Sequence, residues 1–171
     1  MTVIENLLFP ILLYAALACG LLGGLFFAFS NFVMNALSRI SPASGIAAMQ
    51  SINVTVLNPL FLLLFLGAAL LCAALAVFAV LRWQQPYAGW LLAGSLFYLA
   101  GGFLVTMGCN VPLNDALAAV DPSLPESSRV WQNYLSAWTS WNHVRTICCL
   151  LSSALFIVAA ARQAWLTQIS N

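Results

Sequence analysis

The residues able to do chemistry in this chain are few, and they are gathered. Asn110 and Asn114 stand four apart, followed by Trp131-x-x-Tyr134-x-x-x-Trp138-x-x-Trp141-Asn142-His143-x-Arg145. Earlier lie Asn31, Asn35, Asn53 and Asn58, and Thr106 precedes Asn110 by one turn. These side chains offer neutral hydrogen-bonding amides, one titratable imidazole, one guanidinium and several indoles. Polar groups inside a membrane cost free energy unless they are satisfied, so such a set needs a structural or functional reason.

Each feature has a structural reading beside the functional one. The asparagines either lock helices together or line a pocket. Arg145 either snorkels to the headgroups or serves a buried site. The aromatic stripe is either an interfacial belt or a ligand cage. His143 serves a surface role or catalysis. Met34, Met107, Cys109 and His143 are the residues from which copper or haem ligands would have to come. A single histidine gives no bis-His site, and methionines in lipid usually pack. No metal or other cofactor is therefore expected.

The elements that position these groups are helices in lipid. The chain has 171 residues, 63% hydrophobic and 5% charged, with a net charge of +1. An ordinary soluble domain carries roughly 25% charged residues. Its solvent is therefore mostly lipid, and with no basic patch nucleic acid is excluded as a partner. The cysteines Cys19, Cys72, Cys109, Cys148 and Cys149 lie in apolar stretches without metal-ligand spacing, and read as free thiols. Glu5 stands where a cleavable leader would be basic, so the first apolar run is expected to be retained.

A helix needs about 20 apolar residues to cross the roughly 30 Å hydrocarbon layer. Four segments qualify: 7–32, 58–81, 88–109 and 141–161. The expected fold is all-α, an integral membrane four-helix bundle in a single domain, 1–171. An additional interfacial helix is expected before the fourth span, within an extramembrane or interfacial segment 111–140. Asn58-Pro59 marks a helix start, and the turn near Arg82 and Pro86 makes the second and third spans antiparallel neighbours. Residues 36–57 form a longer link. Ser123 with Glu126 has capping-box spacing for a new helix. The ladder Gly20, Gly24 and Ala28 suits close contact, inside the bundle or in a homo-oligomer.

Antiparallel threading brings Asn31, Asn35, Asn53, Asn58, Thr106, Asn110, Asn114, Asn142, His143 and Arg145 to one end. The opposite end offers little beyond Glu5, Arg82, Gln84, Gln85 and Arg162. On the first span, Gly20, Gly24, Phe27, Asn31 and Asn35 fall near one line, which is taken as the packing face. On the fourth, the small-residue face continues through Trp138, Trp141, Asn142 and Arg145. At about 100° per residue, His143 lies roughly 160° from the centre of that face. An unbroken helix points it away from the bundle centre. The arginine tally and loop lengths conflict; the termini are placed on the cytoplasmic side of a bacterial inner membrane.

The pair Asn110-Val-Pro-Leu-Asn114 and Trp141-Asn-His143-x-Arg145, with Phe26-Phe27-Ala-Phe29-Ser and Asn58-Pro59, resembles the anthrone-oxygenase-like family of small four-helix membrane proteins. The resemblance implies that O₂ converts an anthrone into an anthraquinone without metal or flavin. By that resemblance His143 is the base, and Asn110, Asn114, Asn142 and Arg145 stabilise the oxyanion. Trp138 and Trp141 stack on the substrate, with Asn31, Asn35 and Asn58 in the remaining binding wall.

Two functions follow as expectations. One is a small oxygenase or oxidoreductase acting on a lipophilic aromatic or quinone-type compound at one membrane face. The other is a non-catalytic binding or assembly subunit whose asparagines lock the bundle. A solute carrier ranks behind both, since no charged residue stands mid-membrane as a relay.

Overall fold

The computed structural model describes the backbone of residues 3–169 and the side chains of residues 7–166. The Glu5 side chain lies outside the described residues. Seven α-helices follow in order: α1 Val3–Ala28, α2 Met34–Ser38, α3 Pro42–Thr55, α4 Pro59–Leu81, α5 Ala88–Leu96, α6 Val111–Ala118 and α7 Ser127–Ile169. A π-helical turn, Phe29–Val33, joins α1 to α2; two more, Phe97–Leu104 and Thr106–Asn110, lie between α5 and α6. Four helical stretches are long and apolar enough to cross a membrane: Leu7–Ser38, Pro59–Leu81, Ala88–Ala118 and Ser127–Leu166.

Local chemistry sets the helix starts. Asn58 accepts the Phe61 N–H at 3.1 Å, and Pro59 opens α4 with a residue that has no N–H to satisfy. Ser41 and Pro42 repeat the device at α3, where the Ser41 hydroxyl accepts the Ser44 N–H at 3.2 Å. The link expected over 36–57 thus contains a helix of its own.

The expected box at Ser123 and Glu126 does not open α7, which begins at Ser127. Ser123 instead gives its N–H and hydroxyl to the Asp121 carboxylate, at 2.9 and 2.7 Å, closing a local turn. From Ser127 the helix runs unbroken into the fourth span, so the helix expected before that span is continuous with it.

The bundle packs α7 against α1 and α5, and α4 against α5 and α1. The buried stripe of α1 is Leu8, Leu12, Ala15, Cys19, Leu22 and Phe26. Its steps of four and three are those of a helix seam. This corrects the face expected from Gly20, Gly24, Phe27, Asn31 and Asn35: Gly24, Phe27, Asn31 and Asn35 are exposed. A Cβ at Gly20 would stand 3.1 Å from Ser153 Oγ, and one at Gly23 3.0 Å from Leu150 Cδ2, while Gly24 has nothing within 4 Å. Close approach to α7 therefore uses Gly20 and Gly23, and large aliphatic side chains choose the phase. Leu17, Leu63 and Leu70 are more than 70% exposed, as a lipid-facing surface allows.

A second core covers one end of the bundle. Met34 from α2, Ile46 and Met49 from α3, and Leu117 from α6 enclose Trp131, Tyr134 and Trp138 of α7. The Gln50 amide ties this cap together, donating to the Leu117 and Val120 carbonyls, both at 2.9 Å. The aromatic stripe is thus the core of a helical cap, a role apart from belt and cage. Trp141, one turn on, is 42% exposed and leaves that stripe.

Candidate functional site

The third span carries Tyr98, Gly102, Thr106, Asn110 and Asn114 at uniform steps of four. In a regular α-helix that spacing drifts about 40° per step and would scatter the five positions. Here most of the interval is π-helical, with a wider turn, and the line stays directed at the bundle. Tyr98 donates to the Phe65 carbonyl at 2.8 Å, and the Thr106 hydroxyl to the Gly102 carbonyl at 2.6 Å. Asn110 Nδ2 reaches the Trp138 carbonyl at 3.2 Å. Asn114 Oδ1 accepts both Tyr134 Oη–H, at 2.9 Å, and Trp138 Nε1–H, at 2.8 Å.

Facing this line, Asn142 and Arg145 of α7 are buried at 0% and 5% exposure. A guanidinium only donates, so it settles the Asn142 amide: Oδ1 accepts Arg145 Nη2. Both amide hydrogens then turn to the first span, to the Phe26 carbonyl at 2.7 Å and Ser30 Oγ at 2.6 Å. Arg145 Nη1 reaches Thr106 Oγ1 at 3.3 Å. The guanidinium carbon lies 4.2 Å from the Phe26 ring centroid and 5.0 Å from that of Trp138. These are neutral partners and π faces; Arg145 Nε and Asn110 Oδ1 are buried without a hydrogen-bond partner. A cation held this way is expensive to bury and leaves positive potential unspent.

Behind this cluster opens a groove of about 460 Å³ between the end of the first span and α7. Its walls are Ser30, Met34, Asn35 and Ser38 on one side, and Gln132, Leu135, Ser136, Thr139, Ser140 and His143 on the other. That volume falls in the roughly 300–1,000 Å³ range of small-molecule sites. His143 is exposed, off the bundle axis as its helical phase requires, and it faces this groove.

The structure thus divides the expected site. His143 and Asn35 line the groove. Asn142, Arg145 and Asn110 form the buried polar layer, to which Asn142 connects the groove through Ser30. Asn114 and Trp138 bond to each other within the cap. Asn31, Asn58 and Trp141 are exposed outside the groove lining; Asn58 spends its carbonyl oxygen on the α4 cap. Ser30 and Phe26 were missing from the expected set. Their signal was the seam itself, since Phe26 ends the four-three repeat and Ser30 follows one turn later. Among the described residues, no group of three His, Cys, Asp or Glu side chains is arranged to hold a metal ion.

The sequence model of a family described as anthrone oxygenase matches residues 61–155, which include Thr106, Asn110, Asn114, Asn142, His143 and Arg145. No curated protein and no solved structure gives a significant match.

Proposed function

This chain belongs to the anthrone-oxygenase family, and from that premise we propose that it oxidises a lipophilic aromatic compound with O₂ in the groove beside α7. The observation that carries the reading is the place of His143. The chain's single histidine faces a ligand-sized groove whose wall residue Ser30 is linked through Asn142 to a buried, uncompensated cation.

The chemistry needs a base and a field. In an anthrone, the methylene between two arene rings is acidic because its anion spreads onto the ring carbonyl oxygen. His143 takes that proton, and Arg145 with Asn142 and Asn110 favours the resulting negative charge. The electron-rich carbanion gives an electron to O₂, the radical pair closes to a peroxide anion at the same carbon, and His143 returns its proton to give the hydroperoxide. Loss of water leaves the second ketone, so anthrone and O₂ become anthraquinone and water. The substrate supplies the electrons. Asn35 and the groove hydroxyls orient the polar edge of the rings, while Met34 and Leu135 contact their faces.

The test is quinone absorbance and O₂ uptake on adding an anthrone to the purified protein in detergent. Oxidation above the rate of a His143→Ala, Asn142→Ala variant supports the reading; equal rates end it. A second reading draws on a specific observation, the complete hydrogen bonding of Asn142. Such saturation also suits a non-catalytic subunit whose amides lock its helices. That reading requires equal rates together with a lowered melting temperature in the variant.

A further inference from the structure

We infer that the Ser30 hydroxyl is the oxyanion donor of the groove, armed from behind by Arg145 acting through Asn142. The inference rests on the oxygenase reading of the same groove and adds a residue and a ligand requirement to it.

The argument turns on where hydroxyl hydrogens go. A serine or threonine inside a helix ordinarily gives its hydrogen to the carbonyl four residues back. This chain does so at Ser95 to Leu91, Ser140 to Ser136, Thr106 to Gly102 and Thr146 to Asn142. For Ser30 that carbonyl belongs to Phe26, and it accepts Asn142 Nδ2 at 2.7 Å instead. Ser30 lies in the π-helical turn Phe29–Val33, off the regular ladder. Its Oγ accepts the second Asn142 hydrogen at 2.6 Å and lines the groove. The hydroxyl thus accepts a bond from the protein side, and its own hydrogen is left for the groove.

The chain behind it has one direction. Arg145 polarises the Asn142 carbonyl, which strengthens the amide N–H bonds, and an oxygen accepting a strong bond donates more strongly in turn. Arg145 is buried, where little water screens its charge. The geometry therefore suits a ligand oxygen that becomes negative: the enolate oxygen of a ring ketone, or a phenolate on a fused aromatic. Ser30 would touch that oxygen. Arg145 and Asn142 are positioning residues that act through Ser30.

A monohydroxyanthraquinone tests this, because its phenolate absorbs at longer wavelength than its phenol. The full chain in micelles is titrated with the dye and with its methyl ether, at a pH where the dye in micelles alone is neutral. The expected result is a red-shifted bound dye in the wild type. Ser30→Ala loses the shift and binds the dye roughly ten- to a hundredfold more weakly. Ser30→Thr keeps most of both, and Arg145→Gln loses the shift with Ser30 in place. Should Arg145→Gln fail to fold, the Ser30→Ala and Ser30→Thr pair decides. Wild-type affinity and shift in Ser30→Ala overturn the inference while the groove remains a binding site. If neither dye nor ether binds the wild type, the oxygenase reading falls and the inference with it.

Discussion

The guanidinium of Arg145 lies over the ring of Phe26, 4.2 Å from its centroid, joining α7 to α1 at the level where α1 gives way to a π-helical turn. Next to it, the carbonyl of the same Phe26 accepts Asn142. One residue of the first span thus receives a cation on its ring and an amide on its backbone. The contact replaces the carboxylate that a buried arginine ordinarily requires.

A buried ion without an anionic partner is a poor stabiliser, and hydrophobic replacements of similar size often match or exceed it. Arg145→Met alone strands Asn142 Oδ1 and is expected to cost about 1–3 kcal/mol. Asn142→Leu alone strands the guanidinium and costs at least as much. The double variant removes both and should melt no lower than either single change, while anthrone oxidation is lost. Thermal unfolding of all four proteins in one detergent closes the cycle. Additive losses would show that the two side chains act independently and would refute this account.

Asn114 gives a second, purely structural prediction. Its Oδ1 is the shared acceptor for Tyr134 and Trp138, both buried. Asn114→Ala leaves two buried donors unpaired, an expected loss of about 2–4 kcal/mol. Trp138→Phe removes one of those donors with its need and should cost less. Asn114→Asp keeps the acceptor and should recover part of the loss. Melting temperatures rank the three variants, and a loss in Trp138→Phe equal to that in Asn114→Ala would refute the account.

Much of this was readable from the sequence, and the failures have physical causes. Asn58-Pro59 marked its helix start because a cap and a fixed φ act locally. The phase of His143 was readable because α7 is a regular α-helix there, and so was the gathering of amides at one end. The face of α1 was not. Gly20, Gly24 and Ala28 suggested a contact, but burial followed Leu12, Cys19, Leu22 and Phe26, whose larger apolar side chains fill the core. Residues around Ser30 escaped a 100° rule because the backbone there is π-helical. The seam could place Ser30 one turn past Phe26 but not give its role, since what distinguishes it is that Asn142, far away in sequence, bonds to its usual acceptor. Helix α3 was announced by Ser41-Pro42, a cap and a first-turn proline that went unused.

Asp121 provides a pH-dependent prediction outside the membrane spans. The Ser123 N–H and hydroxyl both bond to its carboxylate and hold its pKa below the ordinary value of 3.8. Because the folded pKa is depressed, the turn's contribution is present above that ordinary value. It is lost as pH falls through the folded one. Carboxyl carbon shifts of Asp121 should titrate below 3.8 in the wild type. Ser123→Ala removes the hydroxyl bond and should move the midpoint up; an unchanged midpoint would show that the hydroxyl does not act on it.

The glycines separate close helix contact from mere small size. A Cβ at Gly101 would overlap Cys148 of α7, at the level where the third span is π-helical, and the overlap involves a Cβ that no rotamer can move. Gly101→Ala should therefore push the third span away from α7 and cost roughly 1–3 kcal/mol. Gly24, exposed and with nothing within 4 Å, meets no such obstacle. There alanine's better helix propensity should leave stability unchanged or raise it by up to about 1 kcal/mol. A clear loss at Gly24 would mean that its face is covered by something outside this chain. Repeating the Gly24→Ala melt across a tenfold dilution would then distinguish a second copy, whose stabilisation depends on protein concentration, from bound lipid or detergent.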